Sequence, residues 1–322
     1  MSTITALAVT PQHTWEPVRV ESPSPGPGQV LIRAVAFALN NGDVRALDQG
    51  PGDTAEPLVA GHEVAGTITA VGAGVDAARV GSRVMATTSR AFAEYAVAQS
   101  DLALPIPDGL EVHEGVTLPV ALLTEYGALS AGRLAAGQTV LVTGATSAIG
   151  LVGVQLARVL GASRVLATTR SPGKADLLTG LGADQVIVTS AEPLTKTVLA
   201  ATGGIGVDLA VDHVAGQTFA EVLPATRIDG QVVQVGRLGG AAATINVDDL
   251  SYRHLTVRGV SYGRSEVLSR LLGEAYEAML PALRDGELRP VVDQVFPFDR
   301  ANEAAQRVRS GAARGKVVLA LS

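Results

Sequence analysis

The chain has 322 residues, 47% of them hydrophobic and 17% charged, with a formal net charge of −6. That length predicts two domains rather than a single core. The composition excludes a disordered chain, and the acidic balance gives no basic footprint for nucleic acid. Cysteine is absent, which removes disulfides, thiolate nucleophiles and every cysteine-containing zinc site.

The first third reads as β-rich. Segments 4–9 and 15–20 are short strands, and Pro23-Ser24-Pro25-Gly26-Pro27-Gly28 is a turn cluster. Segment 29–39 alternates, with Val30, Ile32, Ala34, Ala36 and Ala38 on one face. Strands follow at 64–71, 82–86 and 92–97, which suits a small barrel-like domain. From about 115 the pattern changes to strands alternating with helices. Strands are expected at 140–144, 164–169, 184–188, 207–214, 231–236 and 255–262. Helices lie between them, at 172–181, 194–201 and 218–226, with a stripe of Ile149, Val152, Leu156, Val159 and Leu160 marking another. That alternation implies a doubly wound parallel sheet. The remainder returns to helices and a closing strand at 316–321. No apolar run spans a membrane, because Arg158 interrupts the best candidate, 141–162. Met1-Ser2-Thr3-Ile4-Thr5 lacks the basic start and long apolar stretch of a signal peptide. A soluble, cytoplasmic protein is expected.

The most telling segment is Val140-Leu141-Val142-Thr143-Gly144-Ala145-Thr146-Ser147-Ala148-Ile149-Gly150. A buried strand stops at a turn of small residues and a helix begins at once. Small residues let backbone N–H groups approach a pyrophosphate, and a helix N-terminus favours its charge. Ser147, Ala148, Ile149 and Gly150 are the expected phosphate contacts of a dinucleotide, although only Gly150 survives of the three glycines of that fingerprint. At the end of the second strand an NAD site usually carries Asp or Glu. Here stand Thr168, Thr169, Arg170, Ser171 and, a turn later, Lys174. Hydroxyls and cations without an acid suit a 2′-phosphate, and so NADPH.

Gly61-His62-Glu63 is similar to the Gly-His-Glu segment of zinc alcohol dehydrogenases, but the cysteines that complete that site are missing. One His and one Glu do not hold catalytic zinc, so no metal is expected. His62 reads as a packed, hydrogen-bonded histidine and Glu63 as structural.

Together these residues resemble the medium-chain dehydrogenase/reductase superfamily, and within it the zinc-independent, zeta-crystallin-like quinone oxidoreductases. The resemblance rests on the order and spacing of Pro25-Gly26-Pro27-Gly28-Gln29-Val30-Leu31, Leu39-Asn40-x-x-Asp43-Val44, Gly66–Gly72, Gly81-Ser82-Arg83-Val84, Phe92-Ala93-Glu94-Tyr95, Leu118-Pro119…Thr124 and Gly315–Leu319. It implies an α/β protein in which a GroES-like β-rich catalytic domain (1–120 with 262–322) receives a Rossmann nucleotide domain (121–261). It also implies a homodimer joined through the last strand of the nucleotide sheet. Departures are Ser147 and Ala148 in place of two glycines, Thr189 where relatives often place a tyrosine on the 2′-phosphate, and no aromatic in the 46–57 loop.

Without a metal to ionise an alcohol, hydride delivery to an electron-poor acceptor is the expected chemistry, with a quinone ahead of an α,β-unsaturated carbonyl. Donors near the acceptor oxygen would stabilise its developing charge. Asn40 is the expected amide donor, beside both nicotinamide and acceptor, and Asp43 orients it. Thr124 lies near the cofactor, and Tyr126 is a candidate proton donor. Gly236, Leu238, Val260, Ser261 and Tyr262, at carboxyl ends of strands, are expected to flank the nicotinamide. Lys316 approaches the same cofactor or lies on the surface. A non-redox cofactor-binding protein on the same scaffold is the alternative of a different class.

Overall fold

The computed structural model describes residues 2–52, 56–262 and 267–321. Two compact units emerge, Met1–Val120 with Pro290–Ser322, and Ala121–Arg289.

The first unit is built on strand Gln29–Ala38, whose alternation buries Val30, Ile32, Ala34 and Ala36 as expected. Antiparallel neighbours are Glu63–Val71, Lys316–Ala320 and Tyr95–Gln99. The sheet continues through Arg83–Thr87 to Ala103–Pro105 on one side and Val292–Pro297 on the other, while Thr3–Val9 and Trp15–Glu21 form a separate ribbon. Its core contains Trp15, Phe37 and Phe92, with Trp15 and Phe92 edge-to-face at 5.5 Å. The Phe92 ring occupies the space where a side chain at Gly61 would stand, and Gly61 has φ +95°. Glycine is therefore required just before His62 and Glu63.

Strand Gln29–Ala38 leads through Leu39 and Asn40 into helix Asn41–Gln49. The Asp43 carboxylate accepts the Asn40 backbone N–H at 2.7 Å, tying the strand exit to the helix start. This helix takes up the beginning of what the sequence suggests is a 46–57 loop; residues 53–55 of that loop lie outside the described residues.

The second unit is a six-stranded parallel sheet. Taken in chain order, its strands are Thr139–Val142, Arg164–Thr169, Gln185–Val188, Val207–Asp212, Thr226–Gln234 and Thr256–Gly259, and their spatial order is 3-2-1-4-5-6. This is the doubly wound order of dinucleotide-binding sheets. The last strand is shorter than the expected 255–262, so Val260, Ser261 and Tyr262 follow the strand instead of ending it.

Helix Leu268–Arg284 belongs to this unit, so the second boundary falls at 289/290 and not at 261/262. The helix buries Leu271, Leu272, Ala275, Tyr276 and Met279. Just beyond it, Arg289 is clasped by Gln155 of helix Ala148–Val159, which accepts from its N–H at 2.9 Å and donates to its carbonyl at 3.2 Å. The next strand, Val292–Pro297, belongs to the sheet of the first unit, so alternation alone ends the domain too early. Among the described residues no helix is long and apolar enough to cross a membrane.

Candidate functional site

In the second unit the small-residue turn has the geometry of an anion seat. Gly144 has φ +56° and donates its N–H to Thr168 Oγ1 at 2.9 Å, and Ala145 donates to the Thr168 carbonyl at 3.0 Å. A side chain on Gly150 would come within 2.8 Å of Ala145 Cα, so the helix closes on the turn only because that residue is bare. Ser147 caps the helix, its Oγ accepting the Gly150 N–H at 3.1 Å. That bond uses a lone pair and leaves the hydroxyl hydrogen able to donate. Ala148 and Ile149 contribute first-turn N–H groups, which a helix leaves without internal partners. These residues fit a pyrophosphate.

At the end of the second strand, Thr169 is buried and its hydroxyl is engaged with Ser171: Oγ1 accepts the Ser171 N–H at 3.1 Å. Thr189 docks on the Thr169 carbonyl through its N–H at 2.9 Å. Arg170 is exposed, and Lys174 is half-buried one turn on. Arg170, Lys174 and Thr189 thus share one edge, whereas Thr169 shapes the turn.

The other strand ends converge on His213. Gly236 lies so close to the His213 carbonyl that any side chain there would overlap it, and the Leu238 N–H donates to that carbonyl at 3.2 Å. His213 donates its backbone N–H to Thr143 Oγ1 at 3.1 Å, and Thr143 Oγ1 donates to Asp212 Oδ1 at 2.5 Å. Asp212 also accepts the N–H groups of Val214 and Ala215. Ala215 is held at φ 58°, ψ −155°, a conformation almost reserved for glycine. The His213 ring makes two further bonds, Nδ1 to the Thr143 carbonyl at 2.8 Å and Nε2 to Glu125 Oε1 at 2.6 Å. Burial pushes the His213 pKa down, but the Glu125 charge and hydrogen bond outweigh it and the net shift is upward.

Glu125 lies on helix Pro119–Ala131 between two sequence candidates, Thr124 and Tyr126, both half-buried. The Tyr262 ring packs where a side chain on Gly127 would stand, so Tyr262 meets the same helix. Its phenol is lifted above the ordinary value by burial, with Arg258 opposing. Val260 docks on the Gln234 carbonyl at 3.0 Å and Ser261 is exposed.

In the first unit a second polar cluster surrounds Asn40. Lys316, 2% exposed, donates from Nζ to Asn40 Oδ1 at 2.6 Å and lies 2.7 Å from Glu63 Oε2. Asn40 Nδ2 donates to the same Glu63 oxygen at 2.9 Å, and Glu63 Oε1 accepts the Val120 N–H at 2.8 Å. The surface alternative for Lys316 is excluded: it is the buried partner of Asn40. The amide orientation is fixed by a cation on its oxygen and a carboxylate on its nitrogen, leaving one N–H to donate elsewhere. Asp43, also buried, holds His62 Nδ1 at 2.5 Å besides capping the helix. His62 is not packed as expected: its side chain is 53% exposed, and the bond to Asp43 raises its pKa against burial.

The sequence reading missed Glu125 and His213 as a pair and the Lys316–Glu63 ion pair. The available signals were an acid inside the apolar stretch Leu122-Leu123-Thr124-Glu125-Tyr126 and a glycine, Gly153, inside the stripe of helix Ala148–Val159.

The sequence similarities agree with this geometry. Residues 26–108 match the family described as the alcohol dehydrogenase GroES-like domain, and residues 148–277 the family described as zinc-binding dehydrogenase. Zinc does not fit the residues present: cysteine is absent, His62 Nδ1 is bound to Asp43, and Glu63 is bound to Lys316 and Asn40. Among the described residues no group of three or more His, Asp or Glu is arranged for a metal. Rat quinone oxidoreductase is 30% identical over 308 residues, covering 93% of this chain and 91% of that protein. A Mycobacterium tuberculosis phenolphthiocerol/phthiocerol polyketide synthase subunit is 31% identical over 308 residues, and the match spans only 14% of its length. A mycobacterial protein solved in complex with NADPH superposes with a TM-score of 0.87 at 26% identity, over 98% of this chain and 99% of that one.

Proposed function

The chain belongs to the zinc-independent quinone oxidoreductase family of the medium-chain dehydrogenases/reductases, and from that premise we propose that it is an NADPH-dependent reductase of quinones. Bound NADPH would supply the hydride. The observation that carries the reading is the Asn40 amide, polarised by Lys316 and Glu63 and left with one N–H. Such a donor stabilises charge that moves onto an acceptor oxygen, and it does so most when its position is fixed beforehand. Asp43 orients it through the helix cap.

In the nucleotide unit, Ser147, Ala148, Ile149 and Gly150 hold the pyrophosphate, and Arg170 with Lys174 and Thr189 takes the 2′-phosphate. Gly236, Leu238, Val260, Ser261 and Tyr262 line the nicotinamide, with Thr124 beside them. Thr256–Gly259 is an exposed edge strand, and its pairing with a second copy gives the homodimer of this reading.

The match to a polyketide synthase subunit favours one other reading, reduction of an enoyl carbon–carbon double bond. That reaction needs a proton donor, for which Tyr126 and His62 are the candidates. The test is NADPH consumption with 1,4-benzoquinone and with a 2-enal in parallel, using NADH as the cofactor control. Turnover with the quinone, preferring NADPH, supports the proposal. Turnover with the enal alone moves the function to double-bond reduction, and none with either, despite NADPH binding, refutes both.

A further inference from the structure

We propose that Glu125 and His213 act as a positioning pair for the NADPH seat, sharing one proton that fixes the strand end from which the dinucleotide turn starts. The inference rests on the cofactor reading and not on the identity of the acceptor.

The proton count follows from the partners. A carbonyl oxygen only accepts, so His213 Nδ1 carries a hydrogen and donates it to Thr143. Nε2 and Glu125 Oε1, 2.6 Å apart, then hold a single proton between them. Without it, a lone pair would face a carboxylate in a site where both residues are 0% exposed. With it, the ring is pinned at both nitrogens. Asp212, on the same strand, is the other charge that bears on the ring.

The ring's position matters because of what His213 touches. Its side chain holds the carbonyl of Thr143, immediately before Gly144. Its backbone N–H donates to the Thr143 hydroxyl oxygen, and its carbonyl accepts from Leu238 and closes on Gly236. One residue therefore links the ends of the first, fourth and fifth strands, the carboxyl edge where a dinucleotide binds. Glu125 ties that junction to helix Pro119–Ala131. Gly153 leaves room for the carboxylate, because a side chain there would overlap Glu125 Oε2. Buried ion pairs can often be replaced by apolar residues of similar volume without loss of stability. Orientation of the turn is what a hydrogen-bonded pair adds.

The test uses the full chain and measures the NADPH dissociation constant by fluorescence titration for wild type, E125L and E125Q. Leucine fills the space without a hydrogen bond and strands the ring, so the thermal midpoint should fall, and in the variant that remains folded at the assay temperature the expected affinity is about tenfold weaker. The glutamine amide can donate to Nε2 and keep Nδ1 on Thr143, so E125Q should bind within about threefold of wild type. A purely space-filling role predicts no such difference, because glutamine keeps the shape of glutamate and leucine fills most of the same volume. Wild-type-like affinity in E125L overturns the inference while leaving the cofactor reading intact. Failure of wild type to bind NADPH removes both. Should E125L not fold, nitrogen NMR of histidine-labelled wild type decides: saturation with NADPH should shift the His213 Nδ1 resonance, and an unmoved resonance overturns the inference.

Discussion

Gly153→Ala gives the sharpest test of the buried pair. Alanine in place of glycine inside a helix ordinarily gains about 1 kcal/mol. Gly153 lies within helix Ala148–Val159, where its backbone is not in the left-handed region. An added Cβ would stand 2.8 Å from Glu125 Cδ and closer still to Oε2. Glu125 is 0% exposed and held 2.6 Å from His213, so the carboxylate has to leave its partner. Breaking a buried pair costs roughly 3–5 kcal/mol, and after the helix gain the net loss is roughly 2–4 kcal/mol. In an E125A background the obstacle is gone and the same substitution should stabilise by about 1 kcal/mol. Urea unfolding of wild type, both single variants and the double variant, followed by far-UV circular dichroism, measures the cycle. The expected coupling is well above the roughly 0.5 kcal/mol scatter of independent sites. A G153A effect of the same sign in both backgrounds would refute the reasoning.

Three further outcomes are expected. Lys316→Met should destabilise by roughly 3–5 kcal/mol, because it strands the buried Glu63 carboxylate; adding Glu63→Gln should recover part of the loss in the same urea assay, and no recovery would argue against a charge penalty. Ala215→Gly should stabilise by about 1 kcal/mol, since glycine relieves the strained backbone at the cost of its own chain entropy; an unchanged midpoint would show that Asp212 imposes no strain there. His62 has a folded-state pKa raised above 6.5 by Asp43, so its contribution to stability is present below that value and lost as pH rises through the folded pKa. Proton NMR should show His62 titrating above 6.5 in wild type and lower in D43N, and identical curves would contradict the pairing.

Much of the fold was legible because its signals are local. The 29–38 alternation set one face of the first sheet, and the change from strand repeats to strand–helix repeats near 115 marked the nucleotide unit. The Asn40-x-x-Asp43 spacing marked the two residues as partners, but the helix start where Asp43 reaches back as a cap was not read from it. What escaped depends on distance in the chain. Lys316 reaches Asn40 only because strands 29–38 and 316–320 pair, and Glu125 reaches His213 only because a helix crosses the sheet; neither contact leaves a period in the sequence. Helix Leu268–Arg284 was assigned to the wrong unit for a related reason: its apolar face says that it packs, not on which sheet. His62 was read as packed because the rest of a zinc site was missing, and residue-by-residue reading does not show which way a ring turns.

The departures from the glycine fingerprint change how the turn waits for its ligand. Of its residues only Gly144 needs a positive φ, and Ser147 sits at φ −71°, ψ 156°, ordinary territory for any side chain. Glycine has the most backbone freedom to surrender when a loop is fixed. A turn with serine and alanine in place of two glycines has already given up most of that freedom on folding. Less disorder is then left to be lost when a phosphate arrives, and the arrival is met by a stiffer receptor.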